Sequence, residues 1–369
     1  MATKQQVKFS PICKTIFFQT LRNRIDSYFI ENKISKFGNV ELLLKSIILL
    51  GAYLLPFSYL LFFKPEFPLS LLIWTLMGFA VAGIGMNVMH DANHGSFSEN
   101  KKLNKLMGSS LNLLGGSIFN WKLQHNILHH TYTNITHLDE DIQDRLVLKF
   151  SPFTKTKWFH KYQWVYALFF YGLLTLYWAV GKDFVQFYQF TKSGVNTNNL
   201  KQNIIVFTHI ILIKIFYFFM MLGLPILVFN IPKTEVFIGF LTMHFFAGVV
   251  LTLIFQLAHT LEQTSHPMPK DGIIENDWAT HQLNTTVNFS RNNKFLTWYL
   301  GGLNYQIEHH LFPKISHVHY PALSHIVKQT AEEFDIRYLE NKTFSCAVKS
   351  HFRYLQTVGK LPNINEAIG

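Results

Sequence analysis

The sequence predicts an all-α integral membrane protein with two transmembrane hairpins, an interfacial helix and a helical cytosolic cap. Three observations predict it. Of the 369 residues, 49% are apolar, more than an ordinary soluble domain carries. The apolar residues fall in blocks long enough to cross a bilayer core of about 30 Å as helix. Basic residues crowd the flanks of those blocks.

The elements follow in order. Residues 1–40 form an amphipathic N-terminus with Lys4, Lys8, Lys14, Arg22, Arg24, Lys33 and Lys36 against Asp26 and Glu31, so they are expected in the cytosol. Residues 42–89 form the first hairpin. Ser46–Phe63 and Leu69–Met89 are its uncharged arms, and Lys64–Pro68 is its turn. By parity, residues 90–160 return to the cytosol, in keeping with Lys101, Lys102, Lys105 and Lys122. Residues 162–181 are apolar but rich in Tyr and Trp, which prefer the membrane–water interface, and are expected as one helix lying there. Residues 204–258 form the second hairpin, turning at Asn230–Glu235, with Lys214 placed to snorkel. Residues 259–369 are cytosolic, with helical periodicity over Pro321–Phe334 and much of Lys342–Gly359. No linker divides the chain, so 1–369 reads as one domain. The net charge of +11 accompanies no nucleic-acid-binding motif. Two cysteines, Cys13 and Cys346, frame no zinc or iron–sulfur site. No secretory signal pattern opens the chain.

Histidine carries the chemistry. None of the 18 histidines precedes residue 90, and five then fall between 90 and 130. In "HDANHG", His90 and His94 are i,i+4 and share a helix face. In "QHNILHH", His125 and His129 repeat that spacing, and His130 lies about 100° round the helix. In "YQIEHHLFP", His309 and His310 diverge likewise, and Gln306 precedes His309 by three. His259 follows the fourth span on the same membrane face by parity. These eight candidate ligands, His90, His94, His125, His129, His130, His259, His309 and His310, exceed one four-coordinate zinc and suit two metals in the cap. Imidazole suits iron, zinc and copper. Asp91, Asp139, Glu140, Asp141 and Glu308 are candidate partners that fix imidazole tautomers. Gln306 is a candidate hydrogen-bonding neighbour or weak oxygen ligand, and His281 is the reserve ligand. His209 and His244 fall within or beside the apolar arms. His137, His160, His266, His317, His319, His325 and His351 are expected to be surface or hydrogen-bonding residues.

Motifs reading HxxxH, HxxxHH and QxxHH, with "HDANHGSFS", "WKLQHNILHHTYTNI" and "GGLNYQIEHHLFP" around them, resemble the integral-membrane fatty acid desaturases. The glutamine of the last motif resembles their front-end branch, which includes linoleoyl-CoA (delta-6) desaturases. The resemblance implies two iron ions held mostly by histidine, O2 as co-substrate and a long-chain acyl-CoA or acyl-lipid substrate at the cytoplasmic membrane face. Alkyl C–H bonds have no acidic proton, so a redox metal must act on them. Several members of that branch carry a fused cytochrome b5 domain with an HPGG motif. No such motif stands in this sequence, so electrons are expected from a separate ferredoxin or cytochrome b5 and its reductase. A fatty acyl hydroxylase would use the same metals. From other classes, a metal transporter would need ligands along a path across the bilayer, and a membrane cytochrome would need His209 and His244. Arg145, Lys149, Arg291 and Lys294 are candidates for holding an anionic headgroup.

Overall fold

Apolar blocks bounded by capping residues fold as long helices. A computed structural model describes residues 7–10, 16–142 and 147–362; Lys4, Cys13, Lys14 and Arg145 lie outside the described residues. The described chain is mostly helical, with only two-residue strands pairing in twos. Among the described residues, four helices are long and apolar enough to cross a membrane: Val40–Phe63, Phe67–His94, Leu200–Val228 and Lys233–His259. The chain divides into two compact units. One comprises Gly38–Leu123 and Leu168–Leu253, and the other Met1–Phe37, Gln124–Ala167 and Ile254–Gly369.

The first of these is the apolar unit. Asn39 caps its first long helix by accepting from the Leu42 N–H at 3.2 Å, meeting one of the unpaired donors at a helix start. That helix ends at Lys64 in a left-handed conformation, and Pro68 stands in the first turn of the next, where its missing N–H costs nothing. The two helices pack along each other. Tyr53, Phe57, Trp74, Met77, Tyr217, Met221 and Met243 form the core. Close approach depends on small residues. A methyl group at Gly78 would come within 2.5 Å of the Met243 carbonyl oxygen, and one at Gly248 within 2.6 Å of that of Gly172. Only 33% of the most apolar window of Val40–Phe63 is buried, and the same share of Leu200–Val228. Phe62, Phe63, Leu55 and Leu227 face outward. Such uncovered apolar surface belongs against lipid rather than water.

Three local features differ from the sequence expectation. The helix expected over residues 162–181 runs on to Ser193 and bends by 49° between His160–Gly172 and Leu174–Ser193; at Gly172 the ring of Phe245 fills the space a side chain would take. The third long helix continues from Leu200–Phe218 as a π-helix over Phe219–Val228, containing Pro225. Lys214 does not snorkel. It is buried, and its ammonium donates to Asp183 at 2.6 Å and to the carbonyls of Gly115 at 2.5 Å and Trp178 at 2.7 Å. Three acceptors for its three N–H donors offset part of the cost of burying the ammonium.

The second unit holds the polar part of the chain. Phe17, Leu21, Ile25 and Phe29 recur every four residues along the helix Phe17–Glu31 and pack with Leu323, Val327 and Ala331 of the helix Tyr320–Glu333. Ile307 and Leu311 join the same core, which seats the third histidine motif on a packed base. Lys8–Phe9 pairs in parallel with Ile273–Ile274, and Asn288–Phe289 with Glu340–Asn341. The helices expected over Pro321–Phe334 and Lys342–Gly359 form as Tyr320–Glu333 and Phe344–Val358.

Candidate metal centre

The second histidine motif lies on a widened helix. Lys122–His129 is π-helical and passes into the single turn His130–Tyr132, so the 100° α-helical step expected there does not apply. π-Helical turns recur at functional sites. His125 and His129 stack with ring centroids 5.2 Å apart. His130 stands perpendicular to His125, and their Nε2 atoms are 3.3 Å apart. The third motif is the short helix Gln306–Leu311. Its His309 meets His130 at 4.6 Å between centroids, and its His310 meets His129 at 4.9 Å. His259 is the last residue of the fourth long helix, rather than lying just past it, and its ring is 4.7 Å from His129 and 4.9 Å from His310. All six are buried.

Their backs are held. The Nδ1–H of His129 faces both Asp139 carboxylate oxygens at 3.1 Å and Asp141 Oδ2 at 3.4 Å. Asp139 is itself fixed by the backbone N–H groups of Asn134 and Asp141, each at 2.9 Å. His259 Nδ1 donates to the Thr285 carbonyl at 3.3 Å, and His310 Nδ1 to Gln282 Oε1 at 2.8 Å. His309 Nδ1 lies 3.3 Å from the Tyr320 hydroxyl. Occupying Nδ1 leaves Nε2 as the basic nitrogen. The buried Nε2 atoms of His129 and His259 have no hydrogen-bond partner among the described residues. His129, His259 and His310 each offer one ring nitrogen within 4.8 Å of the others. Buried, converging nitrogens with braced backs fit a transition metal such as iron.

Electrostatics follow from the same contacts. Burial opposes charge on His129, but Asp139 and Asp141 outweigh it and hold its pKa above the ordinary value. Burial likewise opposes charge on Asp139, yet His129 and two backbone N–H groups leave its pKa lowered. Burial pushes Glu308 up to about 7, against hydrogen bonds from Asn288 and Tyr338.

The other candidates fall as follows. His90 and His94 lie in the apolar unit, on the helix Val88–His94, with centroids 4.6 Å apart beside Trp121. Asp91 Oδ1 is 3.8 Å from His90 Nδ1. Gln306 is buried, and its amide nitrogen has no hydrogen-bond partner among the described residues. Glu308 accepts from Asn288 Nδ2 at 2.7 Å and from the Tyr338 hydroxyl at 2.9 Å, so it anchors its helix to the Asn288 strand. His281 donates from Nε2 to the Thr133 carbonyl at 2.8 Å. Thr133 in turn touches His310 Nδ1 at 3.3 Å and Gln282 at 2.9 Å, so His281 braces the loop behind the cluster. Asn134, left-handed at φ 59°, donates to the His259 carbonyl at 2.8 Å. Sequence reasoning named Asp139 and Asp141 but missed Thr133, Gln282, Thr285 and Tyr320, which sit in no metal-ligand pattern. Lys149 is buried against Thr156 and Arg291 is paired with Glu340, whereas Lys294 is exposed.

The sequence matches the family described as "Fatty acid desaturase" over residues 66–342. It is 34% identical to the sn-1 linoleoyl-lipid 6-desaturase of Synechocystis sp., over 98% of this chain and 99% of that protein. It is 35% identical to the acyl-lipid (8-3)-desaturase of Physcomitrium patens, over 93% of this chain and 72% of that one. The sn-1 linoleoyl-lipid 6-desaturase of Arthrospira platensis is 33% identical over 94% and 93% respectively. With this match and its four apolar helices, the chain belongs to the fatty acid desaturase family, as a multi-pass membrane oxidoreductase of lipid metabolism.

Proposed function

We propose that this chain is an O2-dependent front-end desaturase that places a cis double bond, of delta-6 or delta-5 type, in a long acyl chain. His90, His94, His125, His129, His130, His259, His309 and His310 would hold two iron ions. The observation that carries this reading is the convergence of His129, His259 and His310, each with its Nδ1 engaged behind it. Gln306, Asp91, Glu308 and His281 support the ligands rather than bind metal. The names of the relatives, linoleoyl-lipid and acyl-lipid desaturases, favour a lipid-bound acyl chain over a CoA ester.

The reaction balances as two substrate C–H bonds broken and one C=C formed. O2 takes two electrons from the substrate and two from a donor, with two protons from solution, giving two waters. Iron, when bound, supplies the redox power to break an unactivated C–H bond. The protein orients the imidazoles, through Asp139 at His129 and through the Thr285 carbonyl and Gln282 amide at His259 and His310. Electrons come from a separate acidic ferredoxin or cytochrome b5, drawn to the basic cytosolic surface. The four spans form two hairpins, the bent 160–193 segment lies at the inner interface, and the metals face the cytoplasm. The whole chain acts as one desaturase domain.

Expression in cells supplied with linoleate, followed by fatty acid analysis, tests this. A new cis double bond on the carboxyl side of the existing ones is expected. A hydroxy acid, or an unchanged lipid profile with iron-loaded protein, would overturn it.

A further inference from the structure

The stretch "KTKWFHKYQW", Lys155–Trp164, belongs to the polar unit and carries a pattern that the histidine cluster does not use. Lys155, Lys157 and Lys161 are interleaved with aromatic residues, and no Asp or Glu stands between Asp144 and Asp183. All three lysines are exposed. So are Trp158, at 79%, and Tyr162. The Lys161 ammonium lies 4.9 Å from the centre of the Tyr162 ring. Large rings left in the open among cations mark an interaction surface. The stretch is also held in place. Lys149 Nζ donates to Thr156 Oγ1 at 2.6 Å, and Thr156 Oγ1 donates to the Leu361 carbonyl at 2.6 Å. The Gln163 amide donates to the carbonyls of Lys149 at 3.0 Å and Leu355 at 2.8 Å. These bonds dock the stretch on the end of the helix Phe344–Val358 and bring in Lys360, which is exposed beside Leu361. No Asp or Glu stands between Glu340 and Glu366 either. A fixed frame therefore presents four cations, with no carboxylate from its own two stretches to neutralise them.

Such a charge suits an acidic protein or an anionic bilayer surface, and the rings decide between them. Trp and Tyr concentrate where headgroups meet acyl chains. The stretch also runs directly into the bent helix pair His160–Gly172 and Leu174–Ser193, which together are apolar enough to enter a membrane. We infer that Lys155, Lys157, Lys161 and Lys360, with Trp158 and Tyr162 among them, form a docking edge for the anionic phospholipid headgroups of the bilayer. The ammonium groups bind headgroup phosphates, and the rings enter the headgroup boundary. The inference needs the chain to sit in a bilayer and does not need the metals.

The test uses the full chain, purified in detergent and equilibrated with equal amounts of phosphatidylglycerol and phosphatidylcholine. Lipid retained per chain is measured at low and at raised salt. Wild type is expected to retain phosphatidylglycerol preferentially, and less so at raised salt. Lys155→Gln/Lys157→Gln/Lys161→Gln should lower its affinity for phosphatidylglycerol about fivefold per lysine, the equivalent of about 1 kcal/mol each. The corresponding triple arginine variant keeps that affinity. Lys270→Gln/Lys342→Gln, which removes exposed charge elsewhere on the unit, leaves it unchanged. In nanodiscs of phosphatidylcholine brominated near the headgroup, wild-type tryptophan emission is quenched, and Trp158→Phe loses a share of that quenching. Equal retention of the two lipids by wild type, an equal loss from the Lys270/Lys342 pair, or an unquenched Trp158 overturns the inference. So does a glutamine variant that keeps phosphatidylglycerol and loses only salt-dependent binding of an acidic ferredoxin, which would make the edge a protein-docking surface. If the triple glutamine variant does not accumulate, Trp158→Phe and the single lysine variants decide.

Discussion

His129 and His244 are both buried histidines, and their surroundings differ in one decisive way. In the apolar unit, His244 uses both ring nitrogens, Nε2 with the Tyr217 hydroxyl at 2.8 Å and Nδ1 with Thr175 Oγ1 at 3.1 Å. In the polar unit, His129 uses Nδ1 on a carboxylate and leaves Nε2 without a hydrogen bond among the described residues, converging with nitrogens of His259 and His310. Leaving a buried polar atom unpaired costs about 1–3 kcal/mol, so repeated convergence of this kind implies a partner that pays it back. Burial is common to both regions; the convergence marks the candidate metal centre. The same comparison disposes of a bis-histidine cytochrome, since His244 is committed at both nitrogens and His209 is exposed.

The largest expected contrast comes from His129→Ala against His244→Phe. The first loses iron and reduces desaturation to background. The second keeps both and lowers stability by about 1–3 kcal/mol through the stranded Tyr217 hydroxyl. Iron analysis beside thermal unfolding reads both, and iron lost from the His244 variant would erase the distinction. Next, Asp139→Asn should cost roughly 10- to 100-fold in activity or iron affinity, because His129 would lose the anion that raises its basicity. Gln282→Ala, removing a neutral partner of His310, should cost less than Asp139→Asn; the reverse order in matched assays would show that orientation matters more than charge.

The smallest effect concerns stability alone. Burial lowers His351 to about 4 from an ordinary value of 6.5. The unfolded chain therefore binds this proton first as pH falls. The stability His351 contributes is full above about pH 6.5 and is lost as pH falls to about 4, on the order of 3 kcal/mol. His351→Gln should flatten that part of the unfolding profile and leave iron content at neutral pH unchanged. An unchanged profile would remove His351 from the structural set.

The candidate ligands are legible in the sequence because a metal needs several donors, and helix turns supply them at short fixed spacings. The apolar helices were legible for a similar reason: charge-free runs have few other uses. What stayed hidden was the role of residues that act through one long-range contact. Thr285 and Gln282 are ordinary helix residues until the fold brings His259 and His310 against them. Lys214 reads as a snorkelling residue because hydropathy registers a charge but not the acceptors waiting inside. The π-helical stretch under His125 and His129 and the bend after Gly172 do not show in the sequence because an α-helical period assumes a regular turn.

The central claim is that the converging histidines hold the iron that makes this chain a desaturase. Iron stoichiometry of purified wild-type and His310→Ala protein, with desaturation measured on the same preparations, tests it most directly. The account predicts two iron ions per wild-type chain, and loss of iron together with loss of new double bonds in the variant. A folded His310→Ala protein that keeps two irons and full desaturation would contradict it.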